Sequence, residues 1–244
     1  MLITLISDPH IAPPGEHPFG VDTRGLFAGA LEFQSREDSD LLILTGDLSY
    51  RDGDESTYKW IKKQLDDNQT PYRIIGGNHD DSSVLAGIFA LEDHLHNSIE
   101  LYYEEKIPGH HLIYLDSSVG SLSKLQWSWL EEKLTGEREL KKLIFMHHPP
   151  TEAAAPYMDK NHAFREIDKF RNLVKKSECR PTVFCGHYHL EKSLILPEMD
   201  VFISPSTFFN LNDKYRDFKV LNNRACYRRV ELSEEVLRTS VYYQ

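Results

Sequence analysis

Five short polar groups carry residue types from which a metal site could be assembled: Asp8-Pro9-His10, Gly46-Asp47, Gly76-Gly77-Asn78-His79-Asp80, His147-His148-Pro149 and Gly186-His187-Tyr188-His189. Each stands at the end of a short, largely apolar run: Leu2 to Ser7, Leu41 to Thr45, Tyr72 to Gly76, Lys142 to Met146 and Pro181 to Cys185. Runs of about five such residues read as buried strands. In an open α/β sheet the loops beyond the carboxyl ends of the strands converge on one crevice, so groups remote in sequence are expected to meet there. The converging set would supply two carboxylates, one amide oxygen and four imidazoles, from Asp8, Asp47, Asn78, His10, His147, His187 and His189. Such a mixture suits Zn, Mn, Fe or Co better than Mg or Ca, whose sites are built from oxygen. Singly, each residue has a structural reading: His10 could cap a helix, Asp47 make a turn, and Asn78 sit in left-handed backbone. Together, seven ligand-type residues at five strand ends point to metal binding.

The order Asp-x-His, Gly-Asp, Gly-Asn-His-Asp, a His after a strand, and Gly-His-x-His, running from residue 8 to residue 189, resembles the calcineurin-like metallophosphoesterase superfamily. The resemblance implies a four-layer α/β/β/α sandwich of two mixed sheets flanked by helices. It implies two divalent or mixed-valence ions, with Asp8, His10 and His189 on one, Asn78, His147 and His187 on the other, and Asp47 bridging. His79 would stand beside the metals without binding either. Leu115-Asp116-Ser117, Leu125-Gln126-Trp127-Ser128-Trp129-Leu130, Met146-His147-His148-Pro149-Pro150 and Ser204-Pro205-Ser206-Thr207 are similar to phrases of the class III cyclic nucleotide phosphodiesterases. That resemblance implies a hydrolase of small phosphodiesters, with cyclic nucleotides such as 3′,5′-cyclic AMP leading. Glycerophosphodiesters, 2′,3′-cyclic nucleotides and phosphomonoesters are the enzymatic alternatives, and a catalytically silent protein-binding scaffold is the alternative of another class.

Physical chemistry explains the residue types. An ionised Asp47 offers acceptor sites on two oxygens, and its charge offsets repulsion between metals roughly 3.5 Å apart. His187 and His189, two apart, would point the same way from extended backbone, and Pro9 biases Asp8 to extended geometry. Gly76, Gly77 and Gly186 would let the backbone turn tightly. The expected mechanism is in-line attack by a metal-bridging hydroxide, His79 giving a proton or a hydrogen bond to the leaving oxygen with Asp80 as its partner.

Along the chain, strand-like runs alternate with amphipathic stretches, the pattern of an α/β fold. Asp54 to Asn68 places Tyr58, Ile61 and Leu65 on one helix face, and Ser123 to Leu134 opens with a Ser-x-x-Gln capping box. Ile99 to Lys106 with His110 to Ser117, and Arg224 to Leu232 with Leu237 to Tyr243, read as antiparallel hairpins, so the sheets are expected to be mixed. Residues 8 to 22, 147 to 162 and 205 to 223 are irregular and are candidate site walls. In those loops Phe208, Phe209 and Tyr215 could stack on a nucleobase, although core packing is the ordinary role of such aromatics.

His148 would point away from His147 in extended backbone, which leaves it behind the ligands or in solvent. His94, His96, His110 and His111 read as surface-turn or hairpin residues, His162 stands in a loop that could border the cleft, and Arg51 could clamp a substrate phosphate but reads first as a surface partner of Asp52 or Asp54.

The 244 residues, 40% hydrophobic, suit one domain spanning 1–244. A net charge of −10 argues against a broad basic face and hence against long nucleic acids as partners. No apolar run approaches a membrane span and the N-terminus lacks a signal-peptide pattern, so a cytoplasmic protein is expected. Cys179, Cys185 and Cys226 form no CxxC pair and read as free thiols. A homo-oligomer is left open.

Overall fold

The structure, a computed structural model, describes residues 1–36 and 38–243. The first half of the chain alternates strand and helix: β1 (Leu2–Ile6), α1 (Thr23–Ser35), β2 (Leu41–Thr45), α2 (Glu55–Asn68), β3 (Tyr72–Ile75) and α3 (Ser82–Phe89). A small ribbon, β4 (Leu95–His96) and β5 (Glu100–Leu101), precedes the hairpin β6 (Tyr103–Ile107) and β7 (His110–Tyr114). Then come α4 (Lys124–Thr135), β8 (Lys141–Phe145), α5 (Pro156–Asn161), α6 (Ile167–Ser177) and β9 (Thr182–Cys185). The remainder is β: β10 (Lys192–Ile195), β11 (Asp200–Ile203), β12 (Asn210–Leu211), β13 (Val220–Asn222), β14 (Cys226–Leu232) and β15 (Leu237–Tyr243).

Two mixed sheets result. The first has the order β15-β14-β1-β2-β3, with β1, β2 and β3 parallel and β14 antiparallel to β1. The second has the order β10-β11-β9-β8-β7-β6, its four inner strands parallel and both edge strands antiparallel. The five strands expected to carry the polar groups are β1, β2, β3, β8 and β9, shifted by at most a residue or so, and both expected hairpins are present.

Strand alternation sorts the side chains into layers. On β8, Leu143 and Phe145 join a core shared with Ile3, Leu5, Leu42 and Leu44 of the first sheet, while Ile144 packs on the opposite side. The shared core also takes the buried stripes of α1, α2 and α3, including Phe27, Tyr58, Ile61, Leu65 and Leu85. The second core lies under α4 and α6, with Trp127, Leu130, Leu134, Phe170 and Val174 against Ile144, Val183 and Val201. This is the four-layer arrangement of helices outside two sheets.

Helix starts follow local chemistry. The Asp54 side chain accepts from Thr57 N at the start of α2, and that of Ser123 accepts from Gln126 N at the start of α4. The capping box is only half formed. Gln126 turns to Asp116, accepting from its N–H at 2.8 Å and donating to its carbonyl at 2.9 Å, because a buried amide does better with two partners there.

Candidate metal centre

The strand exits are tied together by backbone bonds. Asp8 N donates to Gly46 O at 3.1 Å, His10 N to Asp47 O at 3.0 Å, and Gly186 N to His147 O at 3.1 Å. Thr207 N donates to Ser7 O at 3.0 Å, which joins the loop after β11 to the exit of β1. The two sheets thus present their carboxyl-end loops to one place.

Backbone conformation there departs from expectation. Asp8, His10, Asp47, His187 and His189 all have positive φ, between 41° and 65°. Asp8 is therefore not extended despite Pro9, and His187 and His189 stand in left-handed turns rather than on an extended stretch. The local bias loses to tertiary bonds: Asp8 is held by Gly46 O at its amide, while its carboxylate accepts from His187 N at 3.1 Å and from Ser7 Oγ. Asp and His tolerate this region better than most residues, and strain of this kind is concentrated at functional sites. The glycines act through space more than through turning. A Cβ on Gly77 would lie 2.3 Å from Asp47 N, and one on Gly186 would lie 1.8 Å from Ser7 Oγ.

Two donor groups form, and they share one residue. Asp8, His10, Asp47 and His189 bring donor atoms within 4.8 Å of one another, as do Asp47, His147 and His187. The Asp47 carboxylate is 3.3 Å from His147 Nε2 and 3.5 Å from His10 Nε2, and Asp8 Oδ1 is 3.4 Å from His189 Nε2. Asn78 lines the same cleft beside His10 and Asp47.

Backbone carbonyls fix which ring nitrogen is free, since a carbonyl can only accept. His147 Nδ1 donates to Thr45 O at 2.9 Å and His189 Nδ1 to Phe209 O at 3.0 Å, which leaves each Nε2 as a lone-pair donor. His187 is reversed: its Nε2 donates to His162 O at 2.9 Å and frees Nδ1. His147 Nε2 is fully buried without a hydrogen-bond partner, and His10 Nε2 lies only 3.1 Å from His189 Nε2. Carbonyl-oriented imidazoles with lone pairs converging on buried carboxylates fit a divalent cation.

Electrostatics agree. Every ion pair of Asp8 and Asp47 among the described residues is to histidine. Burial would push both carboxyls up, but His189 and then His147 outweigh it at Asp8, and His147 outweighs it at Asp47, so both lie below the usual carboxylate range. Burial drives His10 and His187 down to about 3. At His147 burial is overcome by Asp47 and Asp8, which raise it to about 9. Two buried carboxylates whose ion pairs are all to histidine, with His10 and His187 held neutral by burial, leave the pocket short of positive charge, which a bound cation would supply.

Asp80 is not the partner of His79. Its carboxylate accepts from Leu48 N at 3.0 Å, Ser49 N at 3.2 Å, Gly77 N at 2.9 Å and the Tyr58 hydroxyl at 2.9 Å, bracing the loop that carries Asp47. Burial, then Asp47, pushes its carboxyl up to about 6. His79 instead has Nδ1 3.4 Å from Asp52, donates its backbone N–H to Asp47 Oδ1, and sets its ring edge-on to His10 at 4.9 Å. Nothing in the spacing singled out Asp52.

Arg51 pairs with Glu16 at 2.8 Å rather than with Asp52 or Asp54. His148 is buried behind the site, its ring 4.0 Å from that of His187. His110 and His111 lie on β7 but are buried, because His111 sits between Glu104 and Lys142. Phe208 is core, Phe209 lies 4.5 Å from His189 along the cleft, and the exposed Tyr215 pairs with Lys219. The more exposed aromatics at the cleft are Phe218 and, next to it, Phe19, neither singled out by sequence. The signal available was an aromatic in an irregular loop with no strand or helix period to bury it.

The cleft above the donors has a volume of about 200 Å³. A larger cavity of about 740 Å³ opens beside α6, lined by Arg165, Lys169 and Arg171 together with Glu152, Glu166 and Asp168, and none of these residues belongs to a metal-donor group found among the described residues.

Fold and site together define a metal-dependent phosphoesterase. Residues 1–191 match the calcineurin-like phosphoesterase family, and the chain belongs to it. It is similar to a probable cyclic nucleotide phosphodiesterase of Fibrobacter succinogenes, 32% identical over 238 residues, covering 98% of this chain and 92% of the relative. A probable glycerophosphodiester phosphodiesterase of Arcobacter nitrofigilis is 31% identical over 199 residues, covering 78% of this chain and 72% of the relative. A dimetal phosphatase from Danio rerio shares the fold at a TM-score of 0.69 and 14% identity, over 98% of this chain and 95% of that one. Among the described residues no helix is long and apolar enough to cross a membrane.

Proposed function

We propose that this enzyme hydrolyses small anionic phosphodiesters, cyclic nucleotides such as 3′,5′-cyclic AMP foremost, at a binuclear metal centre in the cytoplasm. The observation that carries the reading is that Asp47 belongs to both donor groups. In this reading Asp8, His10 and His189 would hold one ion, Asn78, His147 and His187 would hold the other, and Asp47 would be shared between them. Mn, Fe, Zn and Co are the metals that suit the donors. When bound, the ions supply a water acidic enough to attack near neutral pH and positive charge facing the phosphoryl oxygens.

The chain's own residues orient and protonate. Thr45, His162 and Phe209 carbonyls hold the rings of His147, His187 and His189, and Ser7 and the His187 amide hold Asp8. His79 lines the cleft with 37% of its side chain exposed and Nδ1 toward Asp52, so Nε2 is the atom that delivers a proton to the leaving oxygen. A scaffold that had lost catalysis would have no use for this proton donor beside unsatisfied buried donors.

Glycerophosphodiesters are the second reading, favoured by the Arcobacter relative. The test is a hydrolysis panel with Mn²⁺: 3′,5′-cyclic AMP, 2′,3′-cyclic AMP, glycerophosphocholine and p-nitrophenyl phosphate. The highest kcat/KM is expected on 3′,5′-cyclic AMP. A glycerophosphocholine maximum selects the second reading, and turnover of the monoester alone overturns both.

A further inference from the structure

One wall of the cleft plays no part in the chemistry above. Facing the donors stand Tyr157 of α5 and Phe218 from the loop between β12 and β13. Phe218 is 44% exposed, and its ring is surrounded by Phe19 at 6.1 Å, Phe209 at 5.7 Å and Tyr157 at 5.8 Å. Phe209 and Tyr157 meet it close to perpendicular, at 82° and 69°. Aromatic neighbours in that edge-to-face arrangement orient a ring and leave its own exposed surface to solvent.

Phe19 adds two independent oddities. It is 59% exposed, and its φ of 54° places a bulky side chain in left-handed backbone, which costs free energy for any residue other than glycine. Phe19 packs part of its ring on three further phenylalanines and leaves the larger part in water on a strained turn. Contiguous exposed apolar surface beside a polar site marks a ligand groove. Here the polar half is the donor cluster, which takes a phosphate, and the apolar half lies across the same cleft. The ligand that matches both halves has one phosphate and one flat apolar ring system.

We propose that Phe218, braced by Phe19 and Tyr157, is the stacking platform for the nucleobase of the substrate. The proposal rests on the phosphodiesterase reading for its choice of ligand. It makes Phe218 a specificity-determining residue: it holds the base while the donor cluster holds the phosphate, and an aliphatic diester gains nothing from it.

Binding of 5′-AMP and of ribose 5-phosphate to the full chain, measured by titration calorimetry with Mn²⁺ present, isolates the contribution of the base. Wild-type protein should bind 5′-AMP about tenfold more tightly, within the range that one base–aromatic stack supplies. Phe218→Ala and Phe19→Ala should each shrink that ratio below threefold, and Phe218→Trp should keep it, which also shows that the loop still folds. Phe33→Ala, an exposed phenylalanine packed on Tyr227 of β14, is the control and should leave the ratio intact. Equal wild-type affinities, or a ratio that survives Phe218→Ala, overturn the platform. Loss of binding to phosphatidylglycerol vesicles in the two alanine variants, with the nucleotide ratio unchanged, would assign the rim to a membrane instead. Failure of the reaction reading looks different: the AMP ratio persists and responds to Phe218→Ala while no diester in the hydrolysis panel is turned over.

Discussion

Left-handed backbone at Asp8, His10, Asp47, His187 and His189 is a feature of the site that the sequence did not disclose. Residue types and their order were readable because chemistry selects them one by one. Backbone conformation was not, because the bonds that impose it reach from Asp8 to Gly46 and His187, across the whole domain. The same holds for neighbouring residues in Asn78-His79-Asp80, whose side chains have separate tasks. His79 faces the cleft, so His79→Ala should lower kcat about 10²- to 10⁴-fold while metal content and Tm stay at wild-type values. Loss of bound metal in that variant would show His79 to be a ligand. Asp80 faces the backbone, so Asp80→Ala should strip partners from three amides and the Tyr58 hydroxyl and cost about 3 kcal/mol in urea unfolding. A stability change below about 0.5 kcal/mol would contradict the bracing role.

At the scale of elements, short continuous apolar runs located β1, β2, β3, β8 and β9, whose two faces are both covered, and helical periodicity located the buried face of α2. The capping box at Ser123 was half readable: the hydroxyl caps α4, but Gln126 is recruited by Asp116, a partner no local pattern names. Where strands end, packing space decides. Gly186→Ala would drive a methyl group into Ser7 Oγ and Asp8 Oδ2 at the meeting of β9 and β1. It should lower Tm and reduce metal content, with the Asp8 side of the centre losing most. Unchanged metal content in Gly186→Ala would mean that these strand exits do not set the donor positions.

The whole molecule joins its sheets through one core, in which Phe145 and Phe184 of the second sheet pack with Leu5 and Leu44 of the first. The layer arrangement depended on the resemblance to a family, since helix and strand periods alone leave sheet order open. A shared core should give a single cooperative urea transition, coincident by fluorescence and circular dichroism, and two separated transitions would divide the chain into two units. Since the chain carries a net charge of −10, the proposed anionic substrate would be drawn by metals held in the pocket and not by the protein's overall charge. Everything proposed about the reaction therefore depends on two ions meeting at Asp47. Metal content per chain, measured by plasma mass spectrometry on purified wild type and Asp47→Asn after equal Mn²⁺ loading, tests it most directly. Two ions per wild-type chain, falling to one or fewer when the shared carboxylate becomes an amide, is the expected result. One ion in wild type, or two retained by Asp47→Asn, would contradict the bridged centre.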